Sequence, residues 1–392
     1  EYEVTAKIGG KEVSAEIKTK NSDVPVAKTI GLSEIYSGKG GLLLQDIQGS
    51  EDGWIKITAD EKMNTVDAGN VVYEAVLISN CKYLIFEGIK VRGGYCHGIN
   101  IHGKSEYINI INCDIAEWGN EGILNEDFGG FAFEGAYRNN FGGIFFYDVG
   151  NILIERNYIH DSNVKTNAWD TDTYRDVHPK GGTGIQMLGT GGVVIRYNDV
   201  IGSDEHRFND VMEGTNNSGR STGSLSRDSD VYGNMMIYSE DDSIELDGGQ
   251  RNVRVYANRM EQSRCGISTA PNMMGPTYLF NNLIVNLGGT YNNASGSAIK
   301  AGGNGGGDFF GHIFMFCNTM DSEGTGPANI TYSGSSEYHS TTRNNIFVTR
   351  KDNKSPFKSL KADERDSNDY DLIAGGIAPT YKEGDEAHGV FA

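Results

Sequence analysis

The chain has 392 residues, of which 53 are glycine and only 7 are proline, and its formal net charge is −19. It contains no apolar run long enough to span a bilayer, which excludes a hydrophobic transmembrane helix. The negative balance argues against general binding to nucleic acid or to an anionic membrane, because few cations remain to neutralise phosphates. We therefore expect neither nucleic acid nor a membrane as a partner.

The first segment, residues 1–70, differs in pattern from the rest of the chain. Residues 1–17 alternate apolar and polar side chains on either side of Gly9 and Gly10, which is typical of a β-hairpin. We predict that residues 1–70 form a short β entry or cap, and that a second type of structure begins near Val71.

From there a short unit recurs, in which alternating apolar residues lead to an asparagine and a second alternating stretch comes after it. Residues 152–159 and 193–200 are two copies, centred on Asn157 and Asn198. Cys113 takes the same place in an earlier copy. The later copies centre on Asn234, Asn258, Asn282, Asn318 and Asn345. Successive spacings from Cys113 are 44, 41, 36, 24, 24, 36 and 27 residues, so the longer units carry insertions.

A unit of 24 residues is too short for two helices, and alternation with β-branched residues favours strands. Three strands and three turns per unit describe one coil of a parallel β-helix, in which stacked coils share a continuous core. A β-propeller would need about 40 residues per blade. We predict an all-β solenoid of roughly nine to eleven coils over residues 71–350, with the asparagines aligned as a ladder along one turn.

A second strand recurs in each unit, for example at residues 98–102, 184–188 and 243–247. Side chains alternate along a strand, so the residue after each inward isoleucine points outward. Stacking at about 4.8 Å per coil then builds columns of outward residues. The first column contains Asn100, Gln186, Glu213, Glu245, Ser268 and Lys300. The second contains His102, Leu188, Asp247, Ala270 and Gly302.

Three insertions flank this strand, at residues 161–180, 202–226 and 288–310. Long loops on one side of a rigid scaffold usually wall a binding groove. Their side chains are polar and aromatic, which suits a sugar chain, because rings stack on sugars and polar groups hold hydroxyls. The candidate substrate-binding residues of the columns, the insertions and their surroundings are Gln186, Glu213, His206, Arg207, Trp169, Lys300 and Arg251.

Glu245 and Asp247 are the strongest catalytic candidates. Two residues apart on one strand, their Cα atoms lie roughly 6.6 Å apart on one face. Carboxyl groups are about 6.5–9.5 Å apart in inverting glycosidases and about 5–5.5 Å apart in retaining ones, so strand geometry favours inversion. Asp242 adds a carboxyl just before the strand. Crowding of like charges raises one pKa, as a general acid at neutral pH requires. A solvated strand face and a calcium site are the alternatives.

Calcium binding and β-elimination remain as alternative chemistries. Asp170, Asp172 and Asp176 have oxygen spacing suitable for calcium, but the glycine and closing glutamate of a standard calcium loop are missing, which favours a polar turn. Lys300 and Arg251 would matter to a lyase, in which a base removes the proton α to a uronate carboxylate. We assign no metal ligand and expect no required cofactor, with calcium as the one possible ion.

After Val348 the pattern changes again. Residues 351–371 carry many charges and few apolar side chains. A terminal coil must be shielded from edge-to-edge pairing. We therefore predict that residues 351–392 form a capping tail.

The 24-residue coils, the asparagine ladder and the motif Asp-Asp-Ser-Ile-Glu-Leu-Asp-Gly-Gly at residues 241–249 resemble the right-handed parallel β-helix (pectin-lyase-like) superfamily of polysaccharide-degrading proteins. The resemblance covers roughly residues 71–350 and implies a right-handed solenoid. The pair Glu245 and Asp247 is similar to the arrangement in iota-carrageenase-type inverting hydrolases. That likeness implies that Glu245 is the acid and that Asp247 is the base that activates water.

Two departures weaken the rival activities. The Gly-His-Gly of polygalacturonase-like enzymes is missing, and Ala270-Pro271-Asn272 stands where alginate and chondroitin lyases of this fold carry an arginine. The resemblance therefore implies an inverting glycoside hydrolase of polysaccharides or oligosaccharides, secreted or periplasmic and monomeric. The alternatives are a lyase of uronate polymers and a non-catalytic sugar-binding solenoid. An anionic substrate would need a basic patch, for which His206, Arg207, Arg251 and Lys300 are the candidates.

Overall fold

The computed structural model describes residues 2–8, 10–17, 21–120, 141–164, 166, 179–217, 219–221, 223–288, 296–301, 311–322, 328–329, 339–350, 357–358, 365–376 and 385–392. Nearly all secondary structure in these segments is β-strand, and the helix they contain is a single turn. Within them no helix has the length and apolar character needed to cross a membrane.

The chain opens with an antiparallel hairpin of β1 (Tyr2–Ile8) and β2 (Lys11–Ile17), as the alternation predicted. Gly10 lies in the turn with a φ of 80°, a conformation that glycine adopts without strain from a Cβ atom. β3 (Val26–Gly31) and the single-turn helix α1 (Leu32–Ile35) come next.

The rest of the described chain is a stack of coils, most of them made of three short strands. The first six coils contain, in order, β4 (Leu42–Gln45), β5 (Trp54–Thr58), β6 (Thr65–Asp67), β7 (Glu74–Ser79), β8 (Lys82–Glu87), β9 (Lys90–Arg92), β10 (His97–His102), β11 (Glu106–Ile111), β12 (Asp114–Ile115), β13 (Phe141–Glu155), β14 (Tyr158–His160), β15 (Gly182–Gly189), β16 (Val194–Arg196), β17 (Asp199–Ile201), β18 (Met212–Gly214), β19 (Arg227–Tyr232) and β20 (Met235–Ile237).

Five further coils and one closing strand complete the stack. They contain β21 (Asp242–Glu245), β22 (Arg251–Tyr256), β23 (Arg259–Glu261), β24 (Cys265–Thr269), β25 (Thr277–Phe280), β26 (Leu283–Ile284), β27 (Ile299–Ala301), β28 (His312–Phe316), β29 (Thr319–Ser322), β30 (Ala328–Asn329), β31 (His339–Arg343), β32 (Ile346–Thr349), β33 (Phe357–Lys358), β34 (Ser367–Asp369), β35 (Leu372–Ala374) and β36 (Val390–Phe391).

Corresponding strands of successive coils pair in parallel and form three long sheets. Sheet 1 contains the first strand of each coil, from β4 to β33. Sheet 2 contains the second strands, from β3 to β34, and sheet 3 the third, from β6 to β36. The long strand β13 belongs to both sheet 1 and sheet 2. The predicted parallel β-helix is confirmed, and the described strands make eleven coils.

The solenoid extends beyond both predicted boundaries. β3 pairs with β5, and β4 with β7, so parallel stacking begins well before Val71. At the other end, β33 to β36 continue the sheets through the segment that was predicted to be a tail. Most of β3 is exposed, so the alternation that marks a half-buried strand is weak where the solenoid begins.

The core fills the inside of the coils as one continuous cluster. Ile78, Ile101 and Phe146 illustrate its construction, since they are in register on neighbouring strands of sheet 1 and all have no exposed surface. Met187 continues the same inward row on the next coil. A single coil could not bury this surface alone, so each coil is stabilised by its neighbours.

The asparagine ladder has the same contacts at every step. At Asn258, the side-chain Oδ1 accepts hydrogen bonds from the backbone N–H and the amide of Asn234, both at 3.0 Å. The Asn258 amide also donates to the Val231 carbonyl at 2.9 Å. The pattern starts where the Cys113 N–H bonds to Asn157 and ends at Asp371, whose carboxylate takes the place of an amide.

A left-handed residue precedes each member of the ladder and turns the chain so that the asparagine points between coils. Only one of these residues is glycine, although L-residues pay strain at positive φ. They are Asn112, Arg156, Tyr197, Gly233, Ala257, Asn281, Cys317, Asn344 and Tyr370.

Replacement of Asn258 by alanine should lower the free energy of unfolding by several kcal/mol. The Asn234 N–H and amide would lose a buried acceptor, and each such loss costs about 1–3 kcal/mol. Urea unfolding followed by circular dichroism measures the change. The matched control is Asn21→Ala, at an exposed position, which should shift stability by less than about 0.5 kcal/mol. Equal midpoints for the two variants would contradict a structural role for the ladder.

Two buried carboxyls, those of Asp371 and Glu386, close the C-terminal end of the ladder. The Asp371 N–H donates to Glu386 Oε2 at 3.2 Å, and the two side chains share a hydrogen bond. Burial, followed by the charge of Asp371, raises the pKa of Glu386 from 4.5 to about 8. The folded cap therefore holds a proton that the unfolded chain releases.

Stability of this cap should fall as the pH rises from about 5 to about 8, because the folded state binds more protons than the unfolded state across that window. Hydrogen–deuterium exchange of residues 385–392 in that range is the measurement. Glu386→Gln should remove most of this pH dependence. Buried carboxyls elsewhere in the chain titrate in the parent and in the variant alike, so they do not contribute to the difference between the two. If exchange of residues 385–392 accelerated with pH in Glu386→Gln as much as in the parent, Glu386 would not be the titrating group.

Candidate active site

The strands of sheet 1 place one outward residue from each coil in a single column. Gln186 is in register with Glu213. The register of β18 with β21 brings Glu213 beside Glu245, and the column continues to Ser268 and Lys300. The predicted column is confirmed, including the copy at Glu213 that departs from the repeat.

Phe145 is a member of the column that the sequence prediction missed. It lies on β13 between Asn100 and Gln186. In the second column, Tyr147 is likewise in register with Leu188. The sequence does indicate this strand, because residues 143–146 read Gly-Ile-Phe-Phe and so match the Gly-Ile start of other copies of the repeated strand.

Three carboxyls meet at the centre of the column. Oxygen atoms of Asp210, Glu213 and Glu245 all lie within 4.8 Å of one another. Asp210 stands just before β18, where its Oδ1 accepts the backbone N–H of Asp242 at 2.6 Å. The Asn209 amide donates to Asp210 at 3.1 Å and to Glu213 at 3.5 Å. Asp210 was missed because it lies in a turn, where strand alternation makes no prediction.

These three carboxylates are also the described residues best placed to hold a divalent cation. Oxygen donors suit calcium, which takes six to eight oxygen ligands. A second group, made of Asp241, Asp242 and Cys265, brings its ligand atoms equally close, but burial raises the pKa of its thiol, which disfavours the metal-binding thiolate. The aspartates of residues 170–176, which the sequence offered for calcium, lie outside the described residues.

Asp247 is fixed on the outward face of its strand. It is only 4 % exposed, and its neighbour Leu246 points into the core, as the alternation predicted. Asp247 Oδ1 accepts the Ser268 hydroxyl at 2.8 Å and the Ala270 N–H at 2.6 Å. Two donors on one oxygen stabilise the ionised form of this carboxyl.

Glu245 is held by a residue of the chain insertion that follows β18. Its Oε1 accepts the Asn217 amide at 2.6 Å. Asn217 belongs to the insertion at residues 202–226, so the described part of that insertion reaches the carboxyls as predicted. The contact occupies one Glu245 oxygen and leaves the other to carry a proton.

Glu245 and Asp247 also share a side-chain hydrogen bond. Burial, then the charges of Asp247 and Glu213, raise the pKa of Glu245 well above its usual value. Burial also raises the pKa of Asp247, although Lys300 and the two hydrogen-bond donors act against it. Since Asp247 Oδ1 already accepts two donors, this geometry favours an ionised Asp247 with the proton of the pair on Glu245.

This contact does not support the separation that was predicted for an inverting pair. Inverting carboxyls lie about 6.5–9.5 Å apart to admit a water molecule, and a direct hydrogen bond leaves no room for one. Strand geometry sets the Cα positions of Glu245 and Asp247, but not where their carboxyls point. Burial raises the pKa of both groups, and a shared proton avoids two neighbouring charges.

Lys300 is paired rather than free. Its Nζ lies 2.6 Å from Asp242 Oδ2 and 3.9 Å from Asp241 Oδ1. Burial lowers the pKa of Lys300, but the charges of the two aspartates outweigh it and hold the pKa well above its usual value. Burial, opposed by Lys300, raises the pKa of Asp242 to about 7. Asp242 thus neutralises Lys300 and does not form part of the hydrogen-bonded acid pair.

The other basic candidates form no patch with the carboxyls. Arg207 is buried and donates to the backbone oxygens of Gln262 and Gly288 at 2.6 and 2.7 Å, a structural role. The His206 ring bonds to the Ser162 carbonyl at 2.9 Å.

A further candidate, Arg251, does not join this site in the structure. Arg251 begins β22 in sheet 2, where it is in register with Arg227. Trp169 lies outside the described residues.

The comparisons with known proteins agree with this fold. A family model described as "right handed beta helix region" matches residues 97–306, more than half of the chain. The chain belongs to this family, which confirms the predicted hand and the superfamily resemblance. A search of curated proteins finds no match.

One similar solved structure is the crystal structure of the enzymatically active domain of tailspike protein 2 from bacteriophage CBA120. Its TM-score is 0.35 and its identity is 9 %, over 80 % of this chain and 50 % of that chain. The present chain therefore spans about half the length of that structure.

Proposed function

We propose that the protein is a glycoside hydrolase of polysaccharides or oligosaccharides, with Glu245 as general acid and Asp247 as its ionised partner. The observation that carries the proposal is the hydrogen-bonded carboxyl pair on the outward face of sheet 1, in which burial and neighbouring charges keep a proton on Glu245. A general acid must be protonated at the working pH, and pairs whose environments separate their pKa values fulfil the two roles.

In this mechanism Glu245 protonates the glycosidic oxygen as the bond to the leaving group breaks. At the same time Asp247 attacks the anomeric carbon and forms a covalent bond to the sugar. The now ionised Glu245 then takes a proton from water, whose oxygen displaces Asp247 and releases the sugar. The Ser268 hydroxyl and the Ala270 N–H keep Asp247 ionised and fix its direction. Asn217 orients Glu245 so that its remaining oxygen can deliver the proton.

The charges around the pair favour hydrolysis of a neutral sugar over β-elimination from a uronate. The carboxyls of Asp210 and Glu213 crowd the same place, and burial with the neighbouring charges already raises the pKa of Asp210 well above its usual value. The carboxylate of a uronate would add one more negative charge to this cluster. A lyase base must be neutral before it takes a proton, whereas Lys300 is held charged by Asp242. Of the residues expected to form a basic patch, His206 and Arg207 contact backbone oxygens, Arg251 lies on another sheet and Lys300 is paired with Asp242.

A binding-only solenoid is less consistent with these side chains. Neutral amides can hold sugar hydroxyls, whereas clustered buried carboxyls carry an electrostatic penalty. That penalty is typical of catalytic sites, where shifted pKa values serve the chemistry.

We further propose that the enzyme is a secreted or periplasmic monomer that needs no resident metal. Calcium at Asp210, Glu213 and Glu245 would require Glu245 to lose its proton. Cation binding there and the acid role of Glu245 therefore exclude each other.

The first test is a panel of neutral and acidic polysaccharides, with new reducing ends and the ultraviolet absorbance of unsaturated uronates recorded together. We expect reducing ends without absorbance, and no loss of activity in EDTA. Glu245→Gln should lower kcat by about 10²–10⁴-fold while sugar binding persists, because the variant loses the proton donor. Asp247→Asn should also lower kcat.

Glu205→Gln is the matched control, since Glu205 is an exposed glutamate in the same insertion as Asn217 and should retain the parent rate. Parent-like turnover in both Glu245→Gln and Asp247→Asn would reject the site. Absorbance that rises with the reducing ends would replace hydrolysis by elimination.

The stereochemical outcome is a separate prediction. Because Glu245 and Asp247 share a side-chain hydrogen bond, their carboxyls lie closer than the about 6.5–9.5 Å of an inverting pair, and we expect retention rather than the inversion that strand geometry suggested. Proton NMR of the first anomer released gives the answer. An inverted first product would show that substrate binding separates the pair and admits a water molecule.

A further inference from the structure

A second concave site lies on the same face of sheet 1, toward the N-terminal coils. This pocket has a volume of about 420 Å³, and its lining residues are Asn100, His102, Gly103, Phe145, Tyr147 and Asp148. Phe145 belongs to the column that leads through Gln186 and Glu213 to Glu245. Three coil steps separate Phe145 from Glu245, which corresponds to roughly 14 Å along the solenoid axis.

Aromatic rings form one side of the pocket. Tyr147 is 52 % exposed, and its ring centroid lies 6.2 Å from that of Phe145. Phe145 is supported from the neighbouring coil by the His97 ring, stacked on it at 4.6 Å. An exposed ring in a concave site beside polar groups suits the apolar face of a sugar ring.

Polar groups stand beside the rings. Asn100 is 8 % exposed, and its amide donates to Glu74 at 3.1 Å. Within the described part of the chain, the buried Asn100 Oδ1 has no hydrogen-bond partner. An unmet buried acceptor is costly, and Asn100 is one of the residues that line the pocket. Asp148, exposed at the rim, adds a second acceptor.

We propose that this pocket is a remote sugar subsite, which binds a neutral pyranose unit of the glycan chain whose scissile bond lies at Glu245. The inference rests on the proposed hydrolase function and adds the direction of the substrate, along the solenoid axis. The roughly 14 Å separation is the length of a few sugar units. The lining residues include no lysine or arginine, so the subsite takes uncharged sugars.

Affinity electrophoresis tests the subsite without requiring turnover. The probes are gels cast with xylan, galactomannan, laminarin or starch, and with alginate or polygalacturonate as acidic polymers. Tyr147→Ala should weaken binding to the neutral polymer that retards the parent by about three- to tenfold, the loss expected for one aromatic contact. Tyr147→Trp should restore it. Tyr158→Ala is the matched control, because Tyr158 is 44 % exposed on sheet 3 and should bind like the parent.

Kinetics provide a second measurement. KM for the polymer should be well below KM for the shortest cleaved oligosaccharide, because only the polymer spans both sites. In Tyr147→Ala this difference should shrink, with kcat on the polymer little affected. If Tyr147→Ala lost no more affinity for the polymer than the control Tyr158→Ala, the subsite would be wrong.

The outcomes separate the two proposals. If Tyr147→Ala weakens binding while Glu245→Gln keeps parent turnover, the subsite stands and the acid assignment fails. If Glu245→Gln loses turnover while Tyr147→Ala binds like the parent, the hydrolase stands and the subsite is wrong. Retardation by acidic polymers alone, or by no polymer, would overturn a neutral-sugar subsite.

Discussion

The alignment of the coils depends on the asparagine ladder. Each ladder asparagine accepts two hydrogen bonds from the coil before it and donates one back, so neighbouring coils are matched to the single residue. The chain maintains left-handed residues such as Ala257 beside these asparagines, at a strain of about 1–2 kcal/mol for a non-glycine residue. A slip of one residue would turn every outward side chain of a strand into the core. The column that contains Glu213 and Glu245 therefore exists because the ladder, on another side of the coil, holds the register.

Parallel stacking has an electrostatic consequence for that column. Residues at equivalent positions are brought to about 4.8 Å from one another, whatever their charge. Where Glu213 and Glu245 are stacked in succession, with Asp210 beside them, three carboxyls occupy one partly buried place. Their mutual repulsion and their burial raise the pKa of Glu245, and the fixed donors on Asp247 determine which of the pair is ionised. The scaffold thus generates an acid and a carboxylate side by side, while Lys300, further along the column, is neutralised by Asp242.

The periodic features of the molecule could be predicted from the sequence, and the others could not. The ladder and the alternation of Ile244, Glu245, Leu246 and Asp247 result from repetition at fixed positions. Glu213 could be placed in the column although its copy departs from the repeat. Asp210 and Asn217 come from turns, which have no period. The contacts between Glu245 and Asp247, and between Lys300 and Asp242, depend on burial and on charges brought together from different coils, which a single strand does not reveal.

The distribution of side chains along sheet 1 supports an axial path for the substrate. The aromatic pocket around Tyr147, the carboxyls at Glu245 and the ion pair of Lys300 lie one after another along the axis. A chain that crossed the sheet at right angles would meet Asn217 from one flanking turn and Asp210 from the other, both already engaged with neighbouring groups. An axial chain instead meets one new outward residue at each coil. Since these residues project from a rigid sheet, the choice of sugar would depend on the side chains in the column more than on movement of the loops.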